Sequence, residues 1–167
     1  VQHAVDGKPD AGEPGRLRGG GLVLHLPRQH LEEFELLRRV DPPRVVAEEL
    51  VRRRHSVIVL DDLSTGHRDA IPPLALLVRG SLADDAAVRE AFTTKEIDGV
   101  IHLAARSVVP ESFADPKGYE RANVDLGVRL LDAMREHGVK PIVFSSTAAV
   151  YDASAPMPLE EGSPLEP

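Results

Sequence analysis

Three short apolar runs constrain this chain more than any other feature. They are Val57-Ile58-Val59-Leu60, Val100-Ile101-His102-Leu103-Ala104 and Pro141-Ile142-Val143-Phe144-Ser145, each followed by polar or small residues. The first, unbroken, apolar and rich in β-branched residues, suits a strand covered on both faces, and the other two read as further strands. A fourth run, 74–78, reads as a further strand. Amphipathic stretches at 45–54, 84–96 and 119–137 alternate with these runs. The longest carries Ala122, Leu126, Leu130 and Ala133 on one stripe, and Gly138 just beyond it is a C′ glycine. Strands alternating with helices predict an α/β fold, a doubly wound parallel sheet.

The first 43 residues have a different character. Eleven of them are Gly or Pro, against 16 of the remaining 124. About a quarter Gly plus Pro is the level of low-complexity chain. Within this segment Leu22-Val23-Leu24-His25-Leu26 is a candidate strand stopped by Pro27, 30–40 is a candidate helix, and Asp41-Pro42-Pro43 starts the next helix. Residues 1–43 are therefore set apart as an atypical segment, partly disordered or read from a shifted frame upstream of about Arg44. Residues 44–167 form the α/β domain.

The whole chain has 167 residues, the size of one domain, and a formal net charge of −7. That balance argues against general nucleic-acid binding, which needs clustered Lys and Arg. No stretch approaches the roughly 18 apolar residues of a spanning helix. The start, Val1-Gln2-His3-Ala4-Val5-Asp6, has neither region of a signal peptide. Cysteine is absent, which excludes disulfides and thiol chemistry and fits a reducing cytoplasm. The seven His residues are scattered and predict no metal site.

In doubly wound sheets ligands bind at the carboxyl ends of the strands. After Leu60 comes Asp61-Asp62-Leu63-Ser64-Thr65-Gly66. An acid there accepts hydrogen bonds from an adenosine ribose diol and repels a 2′-phosphate, which favours NAD over NADP. A solvated acid in a turn is the equal alternative. His102-Leu103-Ala104-Ala105-Arg106-Ser107 ends in small residues that admit a flat ligand, or that pack a strand end tightly. Ser145-Ser146-Thr147 presents three hydroxyls at a strand end read as buried, for a ligand or for a turn. Asn123, a mediocre helix former inside a helix, points to a loop or cofactor, or bonds backbone.

Taken together, Leu60 to His67, Val100 to Ala105, Pro110-Glu111-Ser112, Asn123-Val124 and Phe144 to Tyr151 resemble, in order and spacing, the NAD-dependent sugar-nucleotide epimerases and dehydratases of the extended short-chain dehydrogenase/reductases. The nearest likeness is to the enzymes that interconvert UDP-glucose and UDP-galactose through a 4-keto intermediate; a sister dehydratase is the alternative within the family. The likeness covers about 44–167. It implies NAD as cofactor, a UDP-hexose as substrate, a partial Rossmann-like domain and a homodimer through helix 119–137, with Met134 and its neighbours at the interface or in the core. It also implies roles. Asp61, Asp62, Leu63, Ser64, Thr65 and Gly66 would line the adenosine ribose, and Ser81 and Leu82 the adenine. Leu103, Ala104, Ala105, Arg106 and Ser107 would run along the pyrophosphate and nicotinamide. Asn123 would hold that loop. Ser145 and Ser146 would complete the cofactor site, and Thr147 would bond the reacting sugar hydroxyl. Ser81 stands where the family often has an acid, and Ser107 where many members carry Lys.

Two parts of the pattern are absent. The three glycines of the dinucleotide turn would fall near Leu37, Val40 and Pro43, and none is Gly. Gly19-Gly20-Gly21 precedes the candidate strand rather than following it. The family's base is a Tyr four residues before a Lys that lowers its pKa. Here Tyr119 is followed at that spacing by Asn123, and Tyr151 by Ala155. The expectation is a Rossmann-like sheet without the usual first strand, glycine loop or substrate lobe. Such a chain is an epimerase fragment inactive alone, or else a non-catalytic nucleotide-binding module or a remnant without function.

Overall fold

The computed structural model describes residues 21–25, 43–64, 66–106, 108–145 and 150–166. The candidate helix 30–40 lies outside them. Among the described residues five strands form one sheet: β1 (Gly21–His25), β2 (Ser56–Asp61), β3 (Leu76–Arg79), β4 (Gly99–His102) and β5 (Ile142–Phe144), in the order β3-β2-β1-β4-β5. The helices are α1 (Pro43–Arg52), α2 (Asp85–Thr93), α3 (Val109–Ala114), α4 (Pro116–Glu120) and α5 (Leu126–Glu136).

β2 and β4 are the apolar runs read from the sequence. Val57, Ile58, Val59 and Leu60 are all buried, as are Val100 and Ile101. Side chains alternate along a strand, so Ile58, Leu60 and Val100 face α2 and α5, while Val57, Val59 and Ile101 face α1. The β2–β3 and β4–β5 pairs are parallel. The central position is different. β1 fills it but runs antiparallel to both neighbours, with Gly21 opposite Leu60, His25 opposite Ser56 and Leu22 opposite Ile101. Among the described residues there is thus no parallel first strand, and the candidate strand at 22–26 forms one residue earlier, as Gly21–His25. It closes a gap that would leave two open edges in the middle of the sheet. Pairing itself sets no direction here, and antiparallel pairs are slightly the more stable.

The helices end and break for identifiable reasons. Asp84 caps α2 by accepting from the Ala86 N–H at 2.9 Å. Asp115 caps α4 by accepting from the Gly118 N–H at 3.0 Å. α5 closes in a Schellman turn: Val139 N–H donates to Met134 O at 2.8 Å, Gly138 N–H to Arg135 O, and Gly138 takes φ 72°. The stretch 119–137 is not one α-helix. Residues Arg121–Asp125 form a π-helical turn between α4 and α5, with Leu126 N–H donating to Arg121 O. Ala122, Leu126, Leu130 and Ala133 still share one buried face. Met134 is core, because it is buried in the same cluster.

Two readings are corrected. Leu74 is exposed in a turn before β3 rather than in the strand. β5 is an edge strand instead of a buried one: among the described residues it pairs only with β4, and Phe144 is 61% exposed. No helix among the described residues is long and apolar enough to cross a membrane.

Candidate nucleotide site

The carboxyl ends of β2 and β3 on one side of β1, and of β4 and β5 on the other, lie along the same sheet edge. The register fixes this, because Gly21 meets Leu60 in β2 while Leu22 meets Ile101 in β4. Strands sit about 4.8 Å apart, so the ends of β2 and β4 are separated by about 10 Å.

On the β2 side the chain turns sharply through its acids. Asp61 accepts from the Leu63 N–H at 2.7 Å, and Asp62 accepts from the Ser64 N–H at 2.8 Å. These Asx turns suit acids after a strand. Leu63 takes φ 58°, a left-handed conformation that costs a leucine about 1 kcal/mol or more. Gly66 folds back onto Asp61, where an added Cβ would lie 3.4 Å from Oδ2. Burial raises the Asp61 pKa; the Leu63 N–H opposes that rise and the Asp62 charge adds to it.

The loop after β3 joins this turn. Gly80 N–H donates to the Asp61 carbonyl at 3.1 Å, and Ser81 Oγ accepts from the Ala83 N–H at 3.1 Å. Leu82 is buried beneath them in the α2–α5 core. Gly80 is required by packing, since a Cβ there would fall 2.3 Å from the Ala87 Cβ on α2.

On the β4 side the anchor is Asn123, at the centre of the π turn. Its Oδ1 accepts from the Arg106 N–H at 2.8 Å and its Nδ2 donates to the Arg106 carbonyl at 3.0 Å. The loop 103–106 is thereby tied to the helix below. π turns occur often at functional positions, and this one presents Asn123 to the loop. The Arg106 guanidinium turns inward and is only 11% exposed. It donates to Glu111 at 3.1 Å and to Asp115 at 3.2 Å, and lies 5.7 Å from the Tyr119 ring centroid. Burial works against its charge, but the two carboxylates outweigh that and hold it protonated. This clasp was missed in the sequence, where its only trace is an arginine followed by acids five and nine residues on.

His102 ends β4, buried, with its ring edge-on to Phe144 at 5.2 Å. Its Nδ1 has no hydrogen-bond partner among the described residues, and burial lowers its pKa. Ser145 N–H donates to the His102 carbonyl at 3.0 Å, which brings the start of the hydroxyl run to the same edge. Ser145 itself is exposed, contrary to the buried strand end read from the sequence. Thr65, Ser107, Ser146 and Thr147 lie outside the described residues. The structure thus gathers Asp61, Asp62, Leu63, Ser64, Gly66, Ser81 and Leu82 on one side of β1. It gathers Leu103, Ala104, Ala105, Arg106, Asn123 and Ser145 on the other.

Comparison with known proteins follows the same edge. The family model of the NAD dependent epimerase/dehydratase family matches residues 44–167. The UDP-glucose 4-epimerase of Lacticaseibacillus casei is 42% identical over 120 residues, which is 72% of this chain and 36% of the relative. That of Corynebacterium glutamicum is 43% identical over 123 residues, 74% of this chain and 37% of the relative. Among solved structures, the Thermus thermophilus UDP-glucose 4-epimerase complex with NAD has TM-score 0.64 at 35% identity, covering 74% of this chain and 40% of that one. The Bifidobacterium longum UDP-glucose 4-epimerase in complex with NAD+ and UDP has TM-score 0.63 at 29% identity, covering 74% and 39%. This chain spans well under half the length of these relatives, and it belongs to the NAD-dependent epimerase/dehydratase family.

Proposed function

We propose that these 167 residues form the nucleotide-binding half of a UDP-glucose 4-epimerase-like enzyme and do not turn over a sugar nucleotide by themselves. The observation that carries the reading is the Asp61 turn, at the carboxyl edge of the sheet and inside the stretch that matches the family. Asp61 and Asp62 with Leu63 to Gly66 would face the adenosine ribose of NAD, and Ser81 and Leu82 the adenine. Leu103 to Ser107, steadied by Asn123, would face the pyrophosphate and nicotinamide. Ser145 and Ser146 would complete the cofactor site, and Thr147 would bond the reacting sugar hydroxyl. Zero cysteines support a place in the cytoplasm.

The adenosine end of NAD suits the β2 side. A half-buried carboxylate with Gly66 beside it offers acceptors without a covering side chain. Among the described residues, the centre of the edge carries no dinucleotide turn. A dinucleotide turn needs a strand that ends at the carboxyl edge and a helix that starts there, and β1 ends at the opposite edge. The base of the family reaction is also lacking, because neither Tyr119 nor Tyr151 has a Lys four residues later.

The test is direct. The purified chain with UDP-galactose and NAD should form no UDP-glucose, while NAD should give a saturable signal in saturation-transfer NMR. Turnover would overturn the claim of incompetence, and no NAD signal would overturn the nucleotide reading. A second copy of the chain would cover α5. Val124, Val128 and Leu131 are about half exposed, at helical spacing, opposite the buried stripe. Sedimentation should show a dimer that Leu131→Glu converts to monomer.

A further inference from the structure

We infer that Arg106 is a positioning residue for the cofactor: its side chain latches the loop after β4 to α3 and α4, and so aims that loop at the nicotinamide half of NAD. The inference rests on the nucleotide reading above and adds a residue that acts on that site through the loop. Arg106 is gripped from three positions spaced four residues apart. Asp115 caps α4, Tyr119 lies within it, and Asn123 sits in the π turn that continues it. Residues at that spacing stand one above another on a helix. Asp115 accepts from Arg106 Nη1 at 3.2 Å, and the Tyr119 ring centroid lies 5.7 Å from the guanidinium carbon. Asn123 bonds the Arg106 backbone N–H and carbonyl. From α3, one Glu111 oxygen accepts from Nε at 3.3 Å and from Nη2 at 3.1 Å.

The loop has little else to hold its direction. Ala104 is partly buried and Ala105 is exposed, and a methyl group gives little packing. The Asn123 bonds fix the Arg106 peptide, but one fixed point lets a loop pivot. The guanidinium supplies the second point. Its planar fork meets both carboxylates at once, which an ammonium does not match. Removing it would leave two like charges facing each other beside the loop. The Asp115 carboxylate is shared between two tasks. Its Oδ1 accepts from the Gly118 N–H at 3.0 Å, and its Oδ2 holds Arg106. A Cβ on residue 118 would fall 1.9 Å from that same Oδ2. Glycine at 118 therefore leaves room for the latch, and any side chain there would push aside the oxygen that holds Arg106.

The experiment compares the 167-residue chain with its Arg106→Met, Arg106→Lys and Gly118→Ala variants, using NAD as the probe in saturation-transfer NMR. The readout is the ratio of signal on the nicotinamide protons to signal on the adenine protons of the same molecule. A misplacement of about 1 Å is enough to lose an oriented contact, so Arg106→Met should lower that ratio about threefold or more. Arg106→Lys, which keeps the charge, should recover part of it. Gly118→Ala alters no charge and should lower the ratio in the same direction, so the link is tested even where Arg106→Met fails to fold. An unchanged ratio in Gly118→Ala and in any folded Arg106→Met would overturn the inference. Equal loss at both ends of NAD would also overturn it, because the clasp would then only stabilise the fold; the nucleotide reading would stand in both cases. No NAD signal from the parent chain would sink the nucleotide reading, and the inference with it.

Discussion

The two faces of the sheet are built from alternate residues of the same strands, yet they bury very different amounts. Among the described residues, the face under α2 and α5 holds a cluster of 14 buried side chains, from Ile58, Leu60 and Val100 out to Phe92, Leu130 and Met134. The face under α1 holds six, with Ile71, Ala75, Leu77, Leu103 and Val143 only partly covered around them. Both faces are equally apolar in sequence. Among the described residues the difference is in helix cover: two helices meet each other as well as the sheet on one side, and one helix meets the sheet on the other. The well-covered face also carries the parts that shape the site, namely the Gly80–Ala87 contact, Leu82 and the π turn that holds Asn123.

Paired truncations test this contrast most strongly. Leu130 on α5 and Leu50 on α1 are both about fully buried, so burial alone predicts equal losses. Cavity cost depends on how far the surroundings can collapse. Leu130→Ala should therefore cost about 4 kcal/mol and Leu50→Ala about 2.5 kcal/mol by urea unfolding. Equal values would mean that the α1 face is as rigidly packed as the other, and would break the comparison. Asn123→Ala comes next. It removes two part-buried hydrogen bonds to the Arg106 backbone and should cost about 1–2 kcal/mol. Amide exchange should speed up at Arg106 but not at Leu63 or Gly80. Faster exchange on the β2 side as well would show that the two halves of the edge are coupled through β1.

Much of this was legible in the sequence, and the exceptions share a cause. The α/β alternation, the doubly covered run at β2, the strand at β4, the acid turn after β2 and the buried stripe through Ala122, Leu126 and Leu130 are local patterns. Strand direction is not local. Leu22 to His25 reads the same whether it enters the sheet parallel or antiparallel, so the reversal of β1 was invisible, and with it the edge reached by Gly21. Ile142-Val143-Phe144 has the composition of a buried strand, but its exposure depends on how many strands pair with it. The π turn was hidden because Ala122 and Leu126 remain on one face with or without the extra residue. The Arg106 clasp needs Glu111, Asp115 and Tyr119 to be folded against the loop, which no spacing rule anticipates.

The two faces also close their helices with the same device in different residues. α5 ends on Gly138, while α1 ends on Arg54, which takes φ 69° as His55 N–H donates to Leu50 O and Arg54 N–H to Val51 O. An arginine in the left-handed region loses about 1 kcal/mol that a glycine does not. Arg54→Gly should raise stability by about 0.5–1 kcal/mol, measured as a higher urea midpoint at unchanged slope. A loss would show that the Arg54 side chain holds the α1 face in a way its backbone conformation does not reveal.

The smallest effect is acid titration of the same helix. Glu49 lies on α1 between Arg52 and Arg53, at 2.6 Å from each. Hydrogen bonds from Arg52 and then Arg53 lower its pKa from 4.5 to about 2. A carboxylate depressed by folding stabilises the native state above its unfolded pKa, and that contribution disappears as pH falls toward the folded value. Glu49→Gln should therefore be slightly less stable than the parent at neutral pH, with the gap closing between about pH 4.5 and about pH 2. Asp61 works in the opposite sense, because burial raises its pKa. The folded state holds the Asp61 proton more tightly than the unfolded chain, so its contribution is full at low pH and is lost as pH rises through the raised value. Asp61→Asn should thus gain relative to the parent as pH rises, while Glu49→Gln loses. If the two variants instead drift in the same direction across the acid range, the exposed pair on α1 and the half-buried acid at the site share one electrostatic environment. The contrast between the faces would then be one of packing alone.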